Sequence, residues 1–183
     1  ESEQSSPITA TPISDTVHEL FWDDGTAEVW FNVEETAESN NFSMVKFTAS
    51  DSGEDIARFK WYQHGSGGAF YIKIFEDDSG MPGAEIYSRT QVSGNQDGWN
   101  EKDLSAEGLN VSGDFWIGVG EFSSSKPFGL DTDSNSGNSY KRIGQDGNWE
   151  AVAGNLMYRV LLDAGEGAGR VISSWDNKEE VST

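Results

Sequence analysis

The clearest alternation in the chain lies in residues 70–75, where Phe70, Ile72 and Ile74 share one face of a predicted strand. A period of two residues is typical of a β-strand, because successive side chains of a strand point to opposite faces of the sheet. The acidic segment 76–83 that follows contains glycine and proline and is typical of a turn. A strand followed by an acidic turn recurs along the chain, and this is its clearest instance.

Other apolar runs are separated by segments rich in glycine, aspartate, asparagine and serine. The additional predicted strands are 19–22, 27–33, 41–48, 56–62, 84–92, 99–104, 109–111, 114–122 and 156–163, with weaker ones at 126–131, 140–143 and 148–152. No stretch of about eleven residues keeps the 3.6-residue period of a helix. The pattern therefore predicts an all-β fold, an antiparallel β-sandwich of about 10–12 short strands.

The two ends of the chain differ from its middle in composition. Residues 1–17 are polar and contain two prolines, which predicts a flexible lead-in or linker. Residues 18–163 contain the predicted strands and enough apolar side chains for one β-sandwich domain. Residues 164–183 are rich in glycine and glutamate and are predicted to form a C-terminal linker or a docked tail.

The charge of the chain is one-sided, with 32 acidic residues against 12 basic ones and a net charge of −20. Such a surface repels phosphate backbones and anionic lipids, so the composition argues against nucleic-acid and membrane-surface partners. No run of about 20 apolar residues is present, so membrane insertion is not expected. Acidic composition is compatible with calcium binding, with solubility in salt, and with neutral ligands such as glycans.

The segment 131–137 places oxygen-bearing side chains at alternate positions, at Asp131, Asp133 and Asn135. Alternate residues of a loop can converge on one cation, and Ca²⁺ prefers several carboxylate and carbonyl oxygens. The pattern departs from an EF-hand loop, since the twelfth position is Arg142 and not glutamate. A structural calcium site is one interpretation, and an ordinary solvated turn is the other.

Two further groups of acids are candidate metal ligands. Asp77 and Asp78 lie in the predicted turn after 70–75, where the alternative is an exposed hairpin tip. Asp24 and Asp163 flank the first and last predicted strands, which often lie side by side in jelly-roll folds. By that analogy of fold, the two carboxylates would share one calcium ion.

Seven tryptophans and five tyrosines supply candidate ligand contacts. Exposed aromatic rings stack on the apolar faces of sugars, whereas large aromatic side chains also fill the cores of β-sandwiches. Trp61 and Tyr62 occupy adjacent positions of a predicted strand, and at least one of Trp61 and Trp116 is expected in the core. Trp149 lies in a loop-rich region and is predicted to be exposed. Trp149, Trp61 and Tyr62 are therefore the candidate ligand-binding residues.

Catalytic chemistry finds little support in the sequence. Cysteine is absent, which removes thiolate nucleophiles, and only two histidines are present. His64 lies near Ser66, but the segment lacks the Gly-x-Ser-x-Gly elbow of serine hydrolases. No pair of acids stands out among the 32 as the two carboxyl groups of a glycoside hydrolase. The chain is therefore predicted to be non-catalytic.

Several blocks in order resemble a known family. They include FWDDGTAE (21–28), FYIKIFEDDSGMPG (70–83), GWNEKDL (98–104) and VSGDFWIGVGE (111–121). Together they resemble the β-sandwich accessory domains of secreted bacterial peptidases and multidomain surface proteins of the gingipain and cleaved-adhesin type. The resemblance implies a jelly-roll-like fold and a non-catalytic role in adhesion or binding, and it brings no catalytic residues.

The sequence thus predicts a secreted or cell-surface bacterial module that binds a glycan or a protein and is joined to other domains of the same polypeptide. Calcium would act structurally by holding acidic loops in place. One alternative is a purely structural spacer domain without a ligand, and a second is a glycoside hydrolase.

Overall fold

The computed structural model describes residues 16–33, 40–65, 67–88, 91–93, 95–122 and 127–165. Within these ranges the chain forms thirteen strands and one short 3-10 helix, Ser105–Glu107. In chain order the strands are β1 (Val17–Leu20), β2 (Val29–Phe31), β3 (Asn41–Gln63), β4 (Phe70–Asp78), β5 (Met81–Tyr87), β6 (Gln91–Val92), β7 (Gly98–Asp103), β8 (Asn110–Phe122), β9 (Phe128–Asp131), β10 (Ser139–Arg142), β11 (Glu150–Ala151), β12 (Asn155–Leu156) and β13 (Tyr158–Asp163). No helix in the described part is long and apolar enough to cross a bilayer.

Strand β3 is the central element, because it contributes to both layers of the sandwich. Its first half pairs with β8 and β10, and its second half pairs with β7 and β13. A bulge at 50–53 separates the halves, where Gly53 adopts a φ of +88° and Glu54 accepts a hydrogen bond from the backbone of Ser50 at 2.8 Å. The two strands predicted at 41–48 and 56–62 are therefore one bent strand.

Two sheets follow from this arrangement. The first sheet has the order β5–β4–β8–β3–β10–β11, with β6 also paired to β4, and the second has the order β7–β3–β13–β1, extended at one end by β9, β2 and β12. The strand pairs of the described residues are antiparallel. The predicted all-β, antiparallel sandwich is confirmed, with slightly more strands than expected.

The alternation in residues 70–75 places one face of β4 in the core. Phe70, Ile72 and Ile74 are each 0% exposed. The turn that follows is shorter than the predicted segment 76–83, because β4 and β5 continue to within two residues of each other. Ser79 and Gly80 form this turn with φ values of +58° and +88°, as a two-residue hairpin of type I′ requires.

The predicted domain limits at residues 17 and 163 lie close to the outermost described strands. Val17 belongs to β1 and pairs with Asp163 at the end of β13. Most of the predicted lead-in, 1–17, and most of the predicted tail, 164–183, lie outside the described residues, so those assignments stay predictions.

Candidate functional site

Three carboxylates from distant parts of the chain meet at one end of the second sheet. Oxygen atoms of Asp24, Glu28 and Asp131 all lie within 4.8 Å of one another, and we call these residues the carboxylate cluster. Asp24 and Glu28 lie in the loop between β1 and β2, and Asp131 ends β9. The antiparallel pairing of Val29 with Leu130 brings that loop to Asp131.

Backbone amides, not basic side chains, hold the carboxylate cluster. Asp131 is fully buried and accepts hydrogen bonds from the amides of Asp133 at 2.9 Å and Asp24 at 3.2 Å. Glu28 accepts one from the amide of Thr132 at 2.9 Å. The ion pairs found among the described residues do not include these three carboxylates. Their mutual repulsion would be relieved by a hard cation, and the all-oxygen donor set is the kind that Ca²⁺ prefers.

Only one of the three ligands predicted at 131–135 belongs to the carboxylate cluster. Asp131 bonds the amide two residues ahead, and Asn135 does the same with Gly137 at 3.0 Å. Asp133 and Asn135 are exposed. The side chains at alternate positions therefore do not converge on one point, and those of Asp131 and Asn135 close Asx turns within their own loop.

The other predicted metal ligands have local partners. Asp77 accepts hydrogen bonds from the Trp116 indole at 2.8 Å and from the amide of Gly80 at 2.9 Å. Its carboxylate thus fixes the β4–β5 turn against the sheet. The neighbouring Asp78 is exposed and accepts a long hydrogen bond, 3.3 Å, from the Ser79 hydroxyl.

Asp24 and Asp163 do not share a site, although β1 and β13 lie side by side as predicted. Asp163 is opposite Val17, whereas Asp24 lies beyond the other end of β1. The hydroxyl of Thr16 donates to Asp163 at 2.6 Å, and this bond, with one from the amide of Gly165, lowers the pKa of the carboxyl.

Three aromatic side chains cross the outer face of the second sheet in a line, and we call Trp30, Tyr62 and Trp99 the aromatic row. Tyr62 of β3 is the cross-strand partner of Trp99 in β7. On its other side β3 adjoins β9, where Gly129 is the cross-strand partner of Trp30 in β2. The row therefore runs Trp99, Tyr62, Gly129, Trp30 across four strands.

The row is closely spaced and open to solvent. The ring centroids of Trp30 and Tyr62 are 6.2 Å apart, and those of Tyr62 and Trp99 are 5.5 Å apart. Trp30 is 41% exposed and Trp99 is 37% exposed. A Cβ atom at Gly129 would lie 3.0 Å from Cδ1 of Tyr62 and 2.6 Å from Sδ of Met157. The glycine thus provides the space in which the Tyr62 ring lies.

Arg159 extends the row toward the carboxylate cluster. Its guanidinium lies 4.4 Å from the ring centroid of Trp99 and 4.7 Å from that of Phe21. It donates to the buried carboxylate of Asp23 at 2.5 and 3.2 Å and lies 3.7 Å from Glu19. Burial alone would lower the pKa of Arg159, but its bonds to Asp23, with the charge of Glu19, raise that pKa above its ordinary value.

The three predicted ligand-binding residues lie in three different surroundings. Tyr62 belongs to the aromatic row. Trp61 is 1% exposed in the core, so it cannot stack on a surface ligand. Trp149 is only half-buried but packs against a second apolar cluster on the outer face of the first sheet. Its ring meets Phe42 edge-on with centroids 6.2 Å apart, and the Arg142 guanidinium lies 4.6 Å from the Trp149 centroid and 4.2 Å from the Phe42 centroid.

The region around His64 does not form a hydrolase triad in the described residues. Its ring stacks on Trp30 at a centroid distance of 3.7 Å, and Nδ1 lies 3.6 Å from the carboxylate of Asp97. Ser66, the nearby hydroxyl in the sequence, lies outside the described residues. His64 therefore packs against the Trp30 end of the aromatic row.

The acids nearest one surface depression are engaged by a buried lysine. That depression, of about 400 Å³, is lined in part by Glu85 and Ser88. Nζ of Lys73 donates to Glu85 at 3.0 Å, to Glu121 at 2.5 Å and to the hydroxyl of Ser88. Two carboxylates bound to one ammonium are not the separately protonated pair that glycoside hydrolysis uses.

In fold, the chain is similar to solved structures of Cwp84, a clostridial cysteine protease. The structure of that protease after propeptide cleavage matches with a TM-score of 0.65 at 13% identity, over 84% of this chain and 41% of that one. A structure of the cysteine protease and lectin-like domains of Cwp84, a surface layer associated protein of Clostridium difficile, matches with a TM-score of 0.60 at 12% identity, over 84% and 37%. This chain thus spans less than half the length of either, and the likeness shows a shared fold. No protein-family model and no curated protein sequence matches the chain.

Proposed function

We propose that this chain is a non-catalytic binding or adhesion module of a secreted or cell-surface bacterial protein, joined to other domains of the same polypeptide. The aromatic row carries the proposal. Among the described residues, Trp30 and Trp99 are exposed on this face, and the Arg159 guanidinium links Trp99 to the exposed Phe21, whose ring centroid is 4.7 Å away. The exposed Trp22 stacks instead on the core residue Phe47, with ring centroids 6.5 Å apart. Exposed aromatic side chains that share one face mark a binding surface more often than a structural one.

The fold similarity supports an accessory role. The matched structures contain a cysteine protease, and one also names a lectin-like domain. This chain is all-β and contains no cysteine, so we take it as the counterpart of the lectin-like part and not of the protease. By the same likeness, we propose that it lies beside other domains of a surface protein. The narrower resemblance to gingipain and cleaved-adhesin domains stays a prediction from the sequence.

We further propose that the carboxylate cluster binds a structural calcium ion. Asp24 and Glu28 belong to the loop that leads into β2, and Trp30 follows Glu28 by two residues. The preceding residue, Asp23, is bound to Arg159 beside the row. A cation at the cluster would hold this loop at both ends and so preorganise the binding face.

Binding to immobilised ligands tests the proposal. The full chain is applied, in calcium, to a glycan array and to immobilised bacterial envelope proteins. The same assay is run with the double variant Trp30→Ala/Trp99→Ala and with Trp22→Ala, whose side chain is equally exposed at 43% but lies off the row. The proposal expects at least one ligand whose binding is lost in the double variant and kept in Trp22→Ala. If no ligand shows that difference, the proposal is wrong.

A further inference from the structure

The shape of the aromatic row favours a long, narrow ligand. The row is one ring wide and crosses four strands, with centroid separations of 6.2 and 5.5 Å that are comparable to the length of one pyranose ring. Trp30 and Tyr62 lie nearly parallel, at 13°, whereas Trp99 stands at 89° to Tyr62 with the guanidinium of Arg159 over its ring at 4.4 Å. Two parallel rings beside one upright ring match a single extended chain that lies on Trp30 and Tyr62 and against Trp99.

The charges beside the row are already paired within the protein. Lys60 lies 5.7 Å from the Trp99 ring and donates to Glu19 at 2.7 Å. Arg159 is bound to Asp23 at 2.5 Å. No cation is therefore left over at this part of the described surface to attract an anionic ligand, and the net charge of −20 adds repulsion. The electrostatics favour a ligand without charge.

Two other ligand classes that use aromatic side chains fit less well. Single-stranded nucleic acids stack on aromatic rows, but they require a positive groove for their phosphates. A protein partner typically covers roughly 800 Å² on each side with a desolvated apolar centre. Here the row is narrow, and covering its margins would desolvate the ion pairs of Lys60 and Arg159 at a cost. A sugar chain offers C–H faces to the rings and hydroxyl groups to those polar margins.

The support beneath the rings is rigid. Tyr62 meets Trp99 edge-on at 89°, and Trp30 is backed by the His64 ring at 3.7 Å. All three rings of the row project from paired β-strands, which hold their backbone positions. Binding therefore requires little ordering of side chains, which benefits a ligand that gains only a small free energy from each ring.

We infer that the aromatic row is the subsite of a neutral polysaccharide, in which Trp30 and Tyr62 stack on sugar rings and the upright ring of Trp99 contacts the same sugar chain at its side. This inference rests on the proposed binding function and specifies its ligand class. Each ring in contact contributes an amount similar to that of a base on an aromatic side chain, so removing one is expected to weaken binding about tenfold.

Affinity electrophoresis tests the inference directly. The full chain is run in native gels that contain a neutral polysaccharide (hydroxyethylcellulose, mixed-linkage β-glucan or galactomannan) or an anionic one (polygalacturonate or hyaluronan). We expect retardation by at least one neutral polysaccharide, a dissociation constant about tenfold higher for Trp99→Ala and for Trp30→Ala, and no change for Trp22→Ala. The melting temperature of each variant, measured in parallel, separates loss of the subsite from loss of the fold.

Three outcomes would overturn the inference. They are retardation by the anionic polysaccharides only, retardation to which Trp30→Ala and Trp99→Ala make no difference, and no retardation by any of the five. In the last case, the chain can still bind an immobilised envelope protein through Trp30 and Trp99. That result would refute only the assignment of a glycan ligand, and the proposed binding function would stand.

Discussion

Asp23 accepts two hydrogen bonds from Arg159, and the next residue, Asp24, belongs to the carboxylate cluster. One pair of adjacent aspartates therefore faces both proposed sites. Asp23 fixes the guanidinium that touches Trp99 and Phe21, and Asp24 faces Asp131. A displacement of Asp24 in the carboxylate cluster would therefore move Asp23, and with it the Arg159 guanidinium that lies over Trp99.

Removing the Asp23 carboxylate should destabilise the fold. Asp23→Ala leaves the partly buried Arg159 without its main counter-charge, and breaking a buried pair on one side costs about 3 kcal/mol. Urea denaturation measures the change in the free energy of unfolding. Glu101→Ala is the control, because its pair with Arg58 is exposed and worth at most about 1 kcal/mol. Equal effects of the two substitutions would contradict the role given to Asp23.

Calcium should stabilise the protein through the carboxylate cluster. At a concentration one hundred times the dissociation constant, a ligand of the folded state adds about 2.7 kcal/mol, which raises the melting temperature. We expect Asp131→Asn to abolish this rise and Asp133→Asn to keep it, since Asp133 lies outside the cluster. Differential scanning calorimetry with CaCl₂ and with EDTA is the measurement. A wild-type melting temperature that is the same in both would refute the calcium site.

The hydrogen bond from the Thr48 hydroxyl to Asp114, 2.5 Å long, should affect the pKa of the Asp114 carboxyl, which an acid titration measures. This bond, aided by Lys46, lowers the pKa of Asp114 below its ordinary value of 3.8. A lowered pKa contributes stability that is present above the unfolded value and is lost as the pH falls through the folded one. Thr48→Val should therefore raise the pKa of Asp114 and reduce the loss of stability below about pH 4. An NMR titration of the Asp114 carboxyl carbon checks this, and an unchanged pKa would rule the bond out as its cause.

Trp149 should matter for stability and not for binding. Trp149→Ala uncovers Phe42 and Phe75 on the outer face of the first sheet, and the lost packing is worth about 2 kcal/mol. Trp30→Ala, which removes a more exposed ring, should cost less than about 1 kcal/mol. Chemical denaturation compares the two. If Trp30→Ala lowers the free energy of unfolding more than Trp149→Ala does, Trp149 is not part of the packed cluster on the first sheet.

The layers of the sandwich follow from local patterns, whereas the sites depend on pairings between distant residues. The alternation at Phe70, Ile72 and Ile74 predicts a strand with one buried face, and the structure has that strand. Because successive side chains of a strand point to opposite faces, a buried Trp61 also predicts that Tyr62 lies on the outer face. Trp30 and Trp99 join Tyr62 only through the registers of β2 with β9 and of β7 with β3, for which a single sequence carries no direct signal.

The carboxylate cluster shows the same limit. Asp24 and Asp131 are both candidates from the sequence, but the sequence places them in different sites. It does not mark Glu28, because the neighbour of Glu28 across the sheet is more than 100 positions away and the link is the pairing of Val29 with Leu130. The polar loop around Trp149 predicts an exposed side chain, whereas in the structure Trp149 packs against the outer face of the first sheet.

The seven tryptophan indole N–H signals in a ¹H–¹⁵N NMR spectrum report on ligand contact at the aromatic row one side chain at a time. A neutral polysaccharide that retards the chain in native gels is titrated into the full, isotope-labelled protein in calcium. We predict that the signals of Trp30 and Trp99 shift with saturation, while those of Trp22 and the buried Trp116 stay in place. Shifts at Trp22 with none at Trp30 or Trp99 would contradict this prediction.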